Sequence, residues 1–553
     1  MTKTKPNILF FQCDQLNPAF LSAYGHSVVQ TPIIDRLASE SMVFDSAYCN
    51  FPLCAPSRFS MMSGRLASTI AAYDNGSEFA ASIPTFAHAL RLAGYKTCLS
   101  GKMHFIGPDQ VHGFEERVTT DIYPADMLWI ADWREREVVH SAPEVRVIKG
   151  SGVCRRSVQL DFDEDVVFQA ERKLFDYARQ RDGKPFFLTV SLTHPHDPFV
   201  ISEEYWNLYN DADIDAPQVA AIPYDQKDRH SQRLHDYFGL NDTPVTEEDV
   251  RRTRHAYYGS ISYVDRQVGR LLKVLDETGF TDDTVVVFTS DHGEFMGERG
   301  LWFKRSFLEP ALRVPLMVRY PNATPGRSSA NVSLVDLFPT FMEIAGAPSE
   351  LDTTDLVGKS LLTTVLSGEP PNDDTVLAEI LCECTTAPIV MVKQGHMKLI
   401  KGDLDPIQLF DLEVDPLELN NVADDPQYDA VLSQLQVIAV DTWDLPKIRA
   451  EVIRSQSERL YISTSLRTGM HTAWDYQPPV DASRQYYRDT PTPDMSTLIS
   501  DALRYGVVQS DDGIHFDGTL LGKTLEAAAR RLSDEVDIAN AIKRAINESA
   551  GAL

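Results

Sequence analysis

The sequence predicts an α/β fold: a large, mixed and mostly parallel sheet between layers of helix, followed by a smaller antiparallel sheet. Three observations predict it. Short β-rich runs alternate with helical stretches over the first two-thirds of the 553 residues. The runs are rich in apolar residues without a polar alternation, as strands covered on both faces are. Beyond a breaker-rich stretch, Ser367-Gly368-Glu369-Pro370-Pro371-Asn372-Asp373-Asp374, strand-like runs follow one another closely.

Taken in order, residues 7–12 read as a buried strand, as do residues 185–191 and 284–289, with a further strand near residues 97–100. Ile261, Val264, Val268, Leu271, Leu272 and Leu275 form one helical stripe, which Gly279 ends. After the breakers come strand-like runs at 376–380, 389–393 and 398–401. From about Thr519, Leu521, Leu525, Ala528 and Leu532 recur at helical spacing and predict a terminal helix, docked on its own subunit or on a neighbour. The expected division is a first domain over residues 1–370, a smaller α+β domain over 375–490 and a helical extension over 491–553.

Composition narrows the function classes. With 43% hydrophobic and 24% charged residues the chain has the make-up of a soluble globular protein. Eighty acidic residues against 52 basic ones give a net charge of −28. Such a surface repels polyanions, which excludes nucleic acid and acidic lipid as partners and suits a cationic small molecule. No uninterrupted apolar run is long enough to span a membrane. Residues 1–6 lack the apolar block of a secretory signal, so a cytoplasmic location is expected. Seven cysteines, an odd and scattered set, fit a reducing compartment rather than a disulfide framework. In Cys382-Glu383-Cys384 the spacing is too tight for a redox or zinc half-site.

The chemistry collects at strand ends. The first strand runs into Asp14, the one near residue 100 into Lys102 and His104, the third into His194 and His196, and the fourth into Asp291 and His292. Ligands of open α/β sheets bind outside the carboxyl ends of the strands, so four such ends define one candidate site. Asp14, Asp291 and His292 offer oxygen and nitrogen donors for a hard divalent cation. Cys54, in Pro52-Leu53-Cys54-Ala55-Pro56-Ser57-Arg58, reads on its own as a thiolate nucleophile activated by Arg58 or by a helix N-terminus. A thiolate is a poor partner for a hard metal.

Cys54-Ala55-Pro56-Ser57-Arg58 resembles the Cys-x-Pro-x-Arg signature of the type I sulfatases of the alkaline phosphatase superfamily. Gly101-Lys102-Met103-His104, Ser290-Asp291-His292-Gly293, Asp336-Leu337-Phe338-Pro339-Thr340 and Leu409-Phe410-Asp411-Leu412 resemble further landmarks, so the likeness covers most of residues 6–425. It implies an alkaline phosphatase-like sandwich. It also implies that a formylglycine-generating enzyme oxidises Cys54 to formylglycine, an aldehyde that hydrates to a gem-diol. Further implied are a divalent metal (Ca²⁺, with Mg²⁺ or Mn²⁺ also accepted) held by Asp14, Asp291, His292 and the modified Cys54, with Gln15 as an extra ligand. Arg58 would orient the gem-diol, Lys102 and Lys304 would bind sulfate oxygens, His196 would protonate the leaving alcohol and His104 would act as the base.

Within that family, the stretches at 104–110, 112–117, 120–126, 193–198 and 474–478 are similar to the choline sulfatases. Residues 127–129 and 134–137 depart from their pattern, and the chain after Asp489 is longer than theirs. This likeness implies hydrolysis of choline-O-sulfate, with Asn75, Trp129, His140 and Glu383 lining the alcohol site. Trp474 and Asp475 would come from the tail of a neighbouring subunit in a homo-oligomer. A phosphonate or phosphate ester hydrolase, a sulfatase for another alcohol, and a non-catalytic binding protein remain as alternatives.

Overall fold

A computed structural model describes residues 5–123, 132–134, 145–180, 182–347, 355–466, 468–469 and 503–504. The chain divides into two units, Met1–Leu503 and Arg504–Leu553, and the account that follows is of the first. Its first ten strands are β1 (Asn7–Asp14), β2 (Met42–Tyr48), β3 (Lys96–Gly101), β4 (Glu116–Arg117), β5 (Gly152–Arg156), β6 (Phe186–Pro195), β7 (Val200–Ser202), β8 (Thr284–Ser290), β9 (Leu316–Arg319) and β10 (Gly326–Ser333). Eight of them form the large sheet in the order β10-β2-β9-β8-β1-β6-β3-β4. Only β9 runs antiparallel to its neighbours there; β5 and β7 pair apart from it.

The continuous apolar runs have a direct cause. Along β1, Ile8 and Phe10 enter one core while Leu9, Phe11 and Cys13 enter the other. Each strand residue is therefore covered on whichever face it points to. Helices Cys54–Ser63, Phe86–Leu92 and Leu337–Ala345 supply Phe59, Leu90 and Phe341 to the first core. Helices Val158–Arg179 and Glu247–Thr278 supply Val167, Ile261, Val264 and Leu271 to the second. The latter helix starts on a capping box between Thr246 and Asp249 and stops at Gly279, whose φ of 73° closes it, as the sequence predicts.

The smaller sheet is antiparallel: β11 (Val376–Ile380), β12 (Ile389–Gln394), β13 (Met397–Gly402) and β14 (Gln408–Asp411). Three of its strands match the predicted runs. The fourth is only four residues long and leaves too short a pattern to read. Val390, Met391 and Leu399 of this sheet join the first core, together with Leu435 from helix Asp429–Thr442 and Val452 from helix Leu445–Leu466.

Trp129, His140, Trp474, Asp475 and the terminal helix expected after Thr519 lie outside the described residues. Among the described residues no helix is long and apolar enough to cross a membrane. All seven cysteines are buried, and none forms a disulfide.

Candidate active site

Strands β8, β1, β6 and β3 are consecutive in the large sheet and mutually parallel, so their carboxyl ends open on one edge. Asp14 closes β1, Asp291 and His292 follow β8, Lys102 and His104 follow β3, and His196 follows β6. Cys54 is brought to the same edge as the first residue of the Cys54–Ser63 helix, all of which is buried. Arg58 stands one turn later, on the same helix face. Asn75 is placed beside Cys54, where its Oδ1 accepts a hydrogen bond from the Ala55 amide at 3.0 Å and so fixes the start of this helix.

Arg58 is fully buried and bridges two carboxylates, with Nε 2.8 Å from Asp291 Oδ2 and Nη2 2.9 Å from Asp14 Oδ2. Its Nη1 donates to the Lys102 carbonyl at 2.6 Å and to Ser191 Oγ at 2.9 Å. Ser57 Oγ donates to the Asp291 carbonyl at 2.6 Å. The short signature thus ties strands β1, β3, β6 and β8 together through two side chains. Lys102 Nζ contacts Asp14 Oδ2. Cys54 Sγ lies 3.2 Å from His292 Nε2 and 3.8 Å from Asp14 Oδ1.

Donor atoms of Asp14, Cys54, Asp291 and His292 all lie within 4.8 Å of one another, and all four residues are buried. Two carboxylates and an imidazole converging there form a donor set that fits a hard divalent cation. The charges are strongly coupled. Burial alone would raise the Cys54 thiol, but Lys102, Lys304 and His292 override it and pull the group well below the usual thiol range. Burial and the neighbouring Cys54 push Asp14 up, and Lys102, His196 and Arg58 outweigh them, leaving its carboxyl well below the carboxylate range. Burial disfavours the Lys304 ammonium, yet Cys54 and Asp197 hold its pKa above the usual value.

Gly101 sets the position of Lys102. Its φ is +110°, and an added Cβ would sit 2.0 Å from the Ser191 carbonyl oxygen, the atom that accepts from the Lys102 amide at 3.0 Å. Gly101→Ala must therefore push Lys102 off its ladder. The expected result is a loss of roughly 2–4 kcal/mol in unfolding free energy by denaturant titration, with the activity of the site falling in parallel.

A second group faces these ligands. Lys304 Nζ lies 2.7 Å from His196 Nε2 and donates to Gln15 Oε1 at 2.5 Å. His196 Nδ1 is 2.6 Å from the Asp197 carbonyl, which requires a proton on Nδ1 and leaves Nε2 to receive one from Lys304. Gln15, read from the sequence as an extra metal ligand, also spends its amide nitrogen on Asp197 and Glu294. Burial raises Glu294 to about 7 despite amide donors from Met296 and Phe303. His104 is buried, and its ring nitrogens have no hydrogen-bond partner among the described residues; Asp121 holds its backbone amide at 2.9 Å. His194, at the same strand end, instead pairs with Asp163 at 2.7 Å and packs on Tyr263.

Sequence reasoning missed several members. Tyr123 lies under Lys102 Nζ, with the ring centroid at 4.3 Å, and beside the rings of His104 and His196. Asp197 and Glu294 close the Gln15–Lys304 network. Their only signal was adjacency to residues already singled out, His196 and His292. Glu383 is buried in the connection after β11. Among the described residues its Oε2 has no hydrogen-bond partner, and it forms an ion pair with Arg305 Nε at 3.5 Å. Burial raises Glu383, while Arg305 counteracts it.

The chain is similar to known proteins. The family model described as sulfatase matches residues 6–347. Those for the N-sulphoglucosamine sulphohydrolase C-terminal region and the choline sulfatase enzyme C-terminal region match 297–441 and 450–496. A choline-sulfatase of Rhizobium meliloti (strain 1021) is 43% identical over 497 residues, 88% of this chain and 97% of its own length. An N-acetylglucosamine-6-O-sulfatase of Bacteroides thetaiotaomicron is 27% identical, covering 79% of this chain and 86% of its own. The crystal structure of a phosphonate monoester hydrolase from Agrobacterium radiobacter superposes with a TM-score of 0.64 at 24% identity, over 81% of this chain and 96% of that one, which speaks for the fold. With the family model spanning the whole strand-end constellation and a relative aligned almost from end to end, the chain belongs to the sulfatase family and is a sulfuric ester hydrolase.

Proposed function

We propose that the substrate is choline-O-sulfate, cleaved to choline and sulfate at this site. The observation that carries the reading is Glu383: a buried carboxylate whose Oε2 receives no hydrogen bond among the described residues and faces only the Arg305 guanidinium, at 3.5 Å. A trimethylammonium group has no N–H to donate and satisfies such an oxygen by charge alone. The acidic surface, −28 overall, draws a cationic ester toward the protein. The 43% identity to a choline-sulfatase supports the same reading.

Asp14, Asp291, His292 and converted Cys54 would hold the divalent cation, Ca²⁺ by the hardness of the donors, with Mg²⁺ or Mn²⁺ also suited. When bound, the cation supplies a lowered pKa at a ligating oxygen and positive charge against sulfate. Formylglycine, made from Cys54 by a formylglycine-generating enzyme, supplies a hydrated aldehyde as the nucleophile. Arg58, fixed by Asp14 and Asp291, keeps that residue oriented. The Lys102 and Lys304 ammonium groups neutralise sulfuryl oxygens from preorganised, buried positions. His196 and Lys304 share a proton at Nε2 and deliver it to the leaving alkoxide. His104, whose buried ring lies next to Cys54 and helps lower its pKa, takes the proton whose removal releases sulfate. Asn75 and Glu383 line the alcohol side together with Trp129, His140 and, from a neighbouring subunit of a homo-oligomer, Asp475.

Sulfate release from choline-O-sulfate, compared between the wild type and Glu383→Ala, tests the reading. The expected outcome is a KM raised about tenfold or more in the variant, with kcat for a neutral aryl sulfate little changed. Equal efficiency on choline-O-sulfate and its uncharged carbon isostere, 3,3-dimethylbutyl sulfate, would refute the choline assignment. Faster release of phosphate than sulfate from matched aryl esters would count against a sulfatase specificity altogether.

A further inference from the structure

The Leu445–Leu466 helix lies outside the sheet sandwich, yet three of its polar side chains reach the loops around the proposed alcohol pocket. Arg459 is paired with Asp74 in a buried bidentate contact, Nη1 to Oδ1 at 2.6 Å and Nη2 to Oδ2 at 2.8 Å. Asp74 in turn accepts from the Gly76 amide at 2.9 Å and from Ser77 Oγ at 3.0 Å, which shapes the turn that carries Asn75. Arg449 donates from Nε to the Thr386 carbonyl at 3.1 Å and from Nη2 to the Trp133 carbonyl at 2.9 Å. Gln456 Oε1 accepts from the Trp133 amide at 3.1 Å.

Positions 449, 456 and 459 share a helix face with the buried Ile448 and Val452. One rigid face therefore grips three segments that are far apart in sequence: the Asp74–Asn75 turn, Trp133, and the loop of Glu383 through Thr386. These contacts go to backbone carbonyls, a backbone amide and one turn-forming carboxylate. Among the described residues, none of the three side chains is hydrogen-bonded to Asp14, Cys54, Lys102, His196, Asp291, His292 or Lys304. The helix is thus coupled to the pocket walls and not to the centre that acts on sulfate.

We infer that this helix is a specificity brace, with Arg449 and Arg459 as positioning residues that hold Asn75 and Glu383 in register for the cationic alcohol. The inference rests on the choline reading above. Loosening either arginine lets the walls shift relative to the sulfate-binding centre, and displacements near 1 Å are enough to cost substantial affinity. The cost falls on the alcohol-dependent part of binding, which an aryl sulfate does not use in the same way.

The test compares wild type, Arg449→Met, Arg459→Met and Arg459→Lys, each matured and metal-loaded, on choline-O-sulfate, 3,3-dimethylbutyl sulfate and an aryl sulfate. Arg449 is only partly buried, so its variant reports even where loss of Arg459 prevents folding. The expected result is a drop of about tenfold in preference for the cationic ester over its isostere, carried by KM. Aryl sulfate kcat should stay within about twofold of wild type, and Arg459→Lys should recover part of the preference. Parallel loss on all three esters, or an unchanged preference in both methionine variants, overturns the brace. A wild type with no preference for the cationic ester overturns the choline reading and the brace together.

Discussion

Cys54→Ala is expected to lower sulfate release by on the order of 10⁴-fold or more while leaving the protein folded. The residue opens a helix whose start is fixed from outside by Asn75 and whose body is held by Arg58 and Ser57. Removing one sulfur atom leaves those contacts in place. What disappears is the proposed precursor of the nucleophile and one of the four residues that could hold a metal ion. Sulfate assays with an alkyl and an aryl ester check the loss, and a thermal melt checks the fold. The effect should be the same for both esters, since it acts at sulfur and not on the alcohol. A variant that kept even a few per cent of turnover would show that another group attacks sulfur.

The second large effect is structural. Arg58→Met leaves Asp14 and Asp291, both fully buried, without the guanidinium that lies between them. Removing one partner of a buried ion pair typically costs about 3–5 kcal/mol, because the remaining charge has no solvent to return to. Metal-free protein should therefore lose about that much in urea unfolding, and Ca²⁺ should restore a good part of it by binding the same carboxylates. The pH dependence has a definite sign. Asp14 is depressed in the folded state, so its stabilising contribution is complete above its unfolded pKa and is lost as pH falls toward the folded value. Without Arg58 part of that contribution is gone, and acid unfolding should begin at higher pH than in the wild type. A variant as stable as wild type in chelator, at every pH, would mean that the carboxylates do not depend on Arg58.

Much of this arrangement was legible in the sequence, for identifiable reasons. Strands β1, β6 and β8 are buried on both faces, so their sequences are largely apolar runs that end abruptly in Asp14, in His194 and His196, and in Asp291 and His292. That abruptness is the site. The signature around Cys54 was legible because each of its polar residues has a fixed partner: Ser57 on the Asp291 carbonyl, Arg58 on two carboxylates. Other features left no mark. Asp74 and Arg459 stand 385 positions apart, and nothing local to either announces the pair. Gln15 is implied as an extra ligand by the family resemblance, and nothing local to it announces its hydrogen bonds with Lys304, Asp197 and Glu294, which a φ of 65° helps it reach. Tyr123 carries no motif of its own. Its place under Lys102 is set by the return of the chain after β4, a strand of two residues.

The most direct test of the account is the rate of sulfate release measured against the fraction of Cys54 converted to the aldehyde. Preparations made with and without the maturing enzyme span that fraction, and peptide mass analysis of the Cys54 segment reads it. With metal supplied in excess, the rate per protein should rise in proportion to the converted fraction and extrapolate to zero for the all-thiol protein. Undiminished turnover by protein in which Cys54 is entirely thiol, or none by protein in which it is entirely aldehyde, would contradict it.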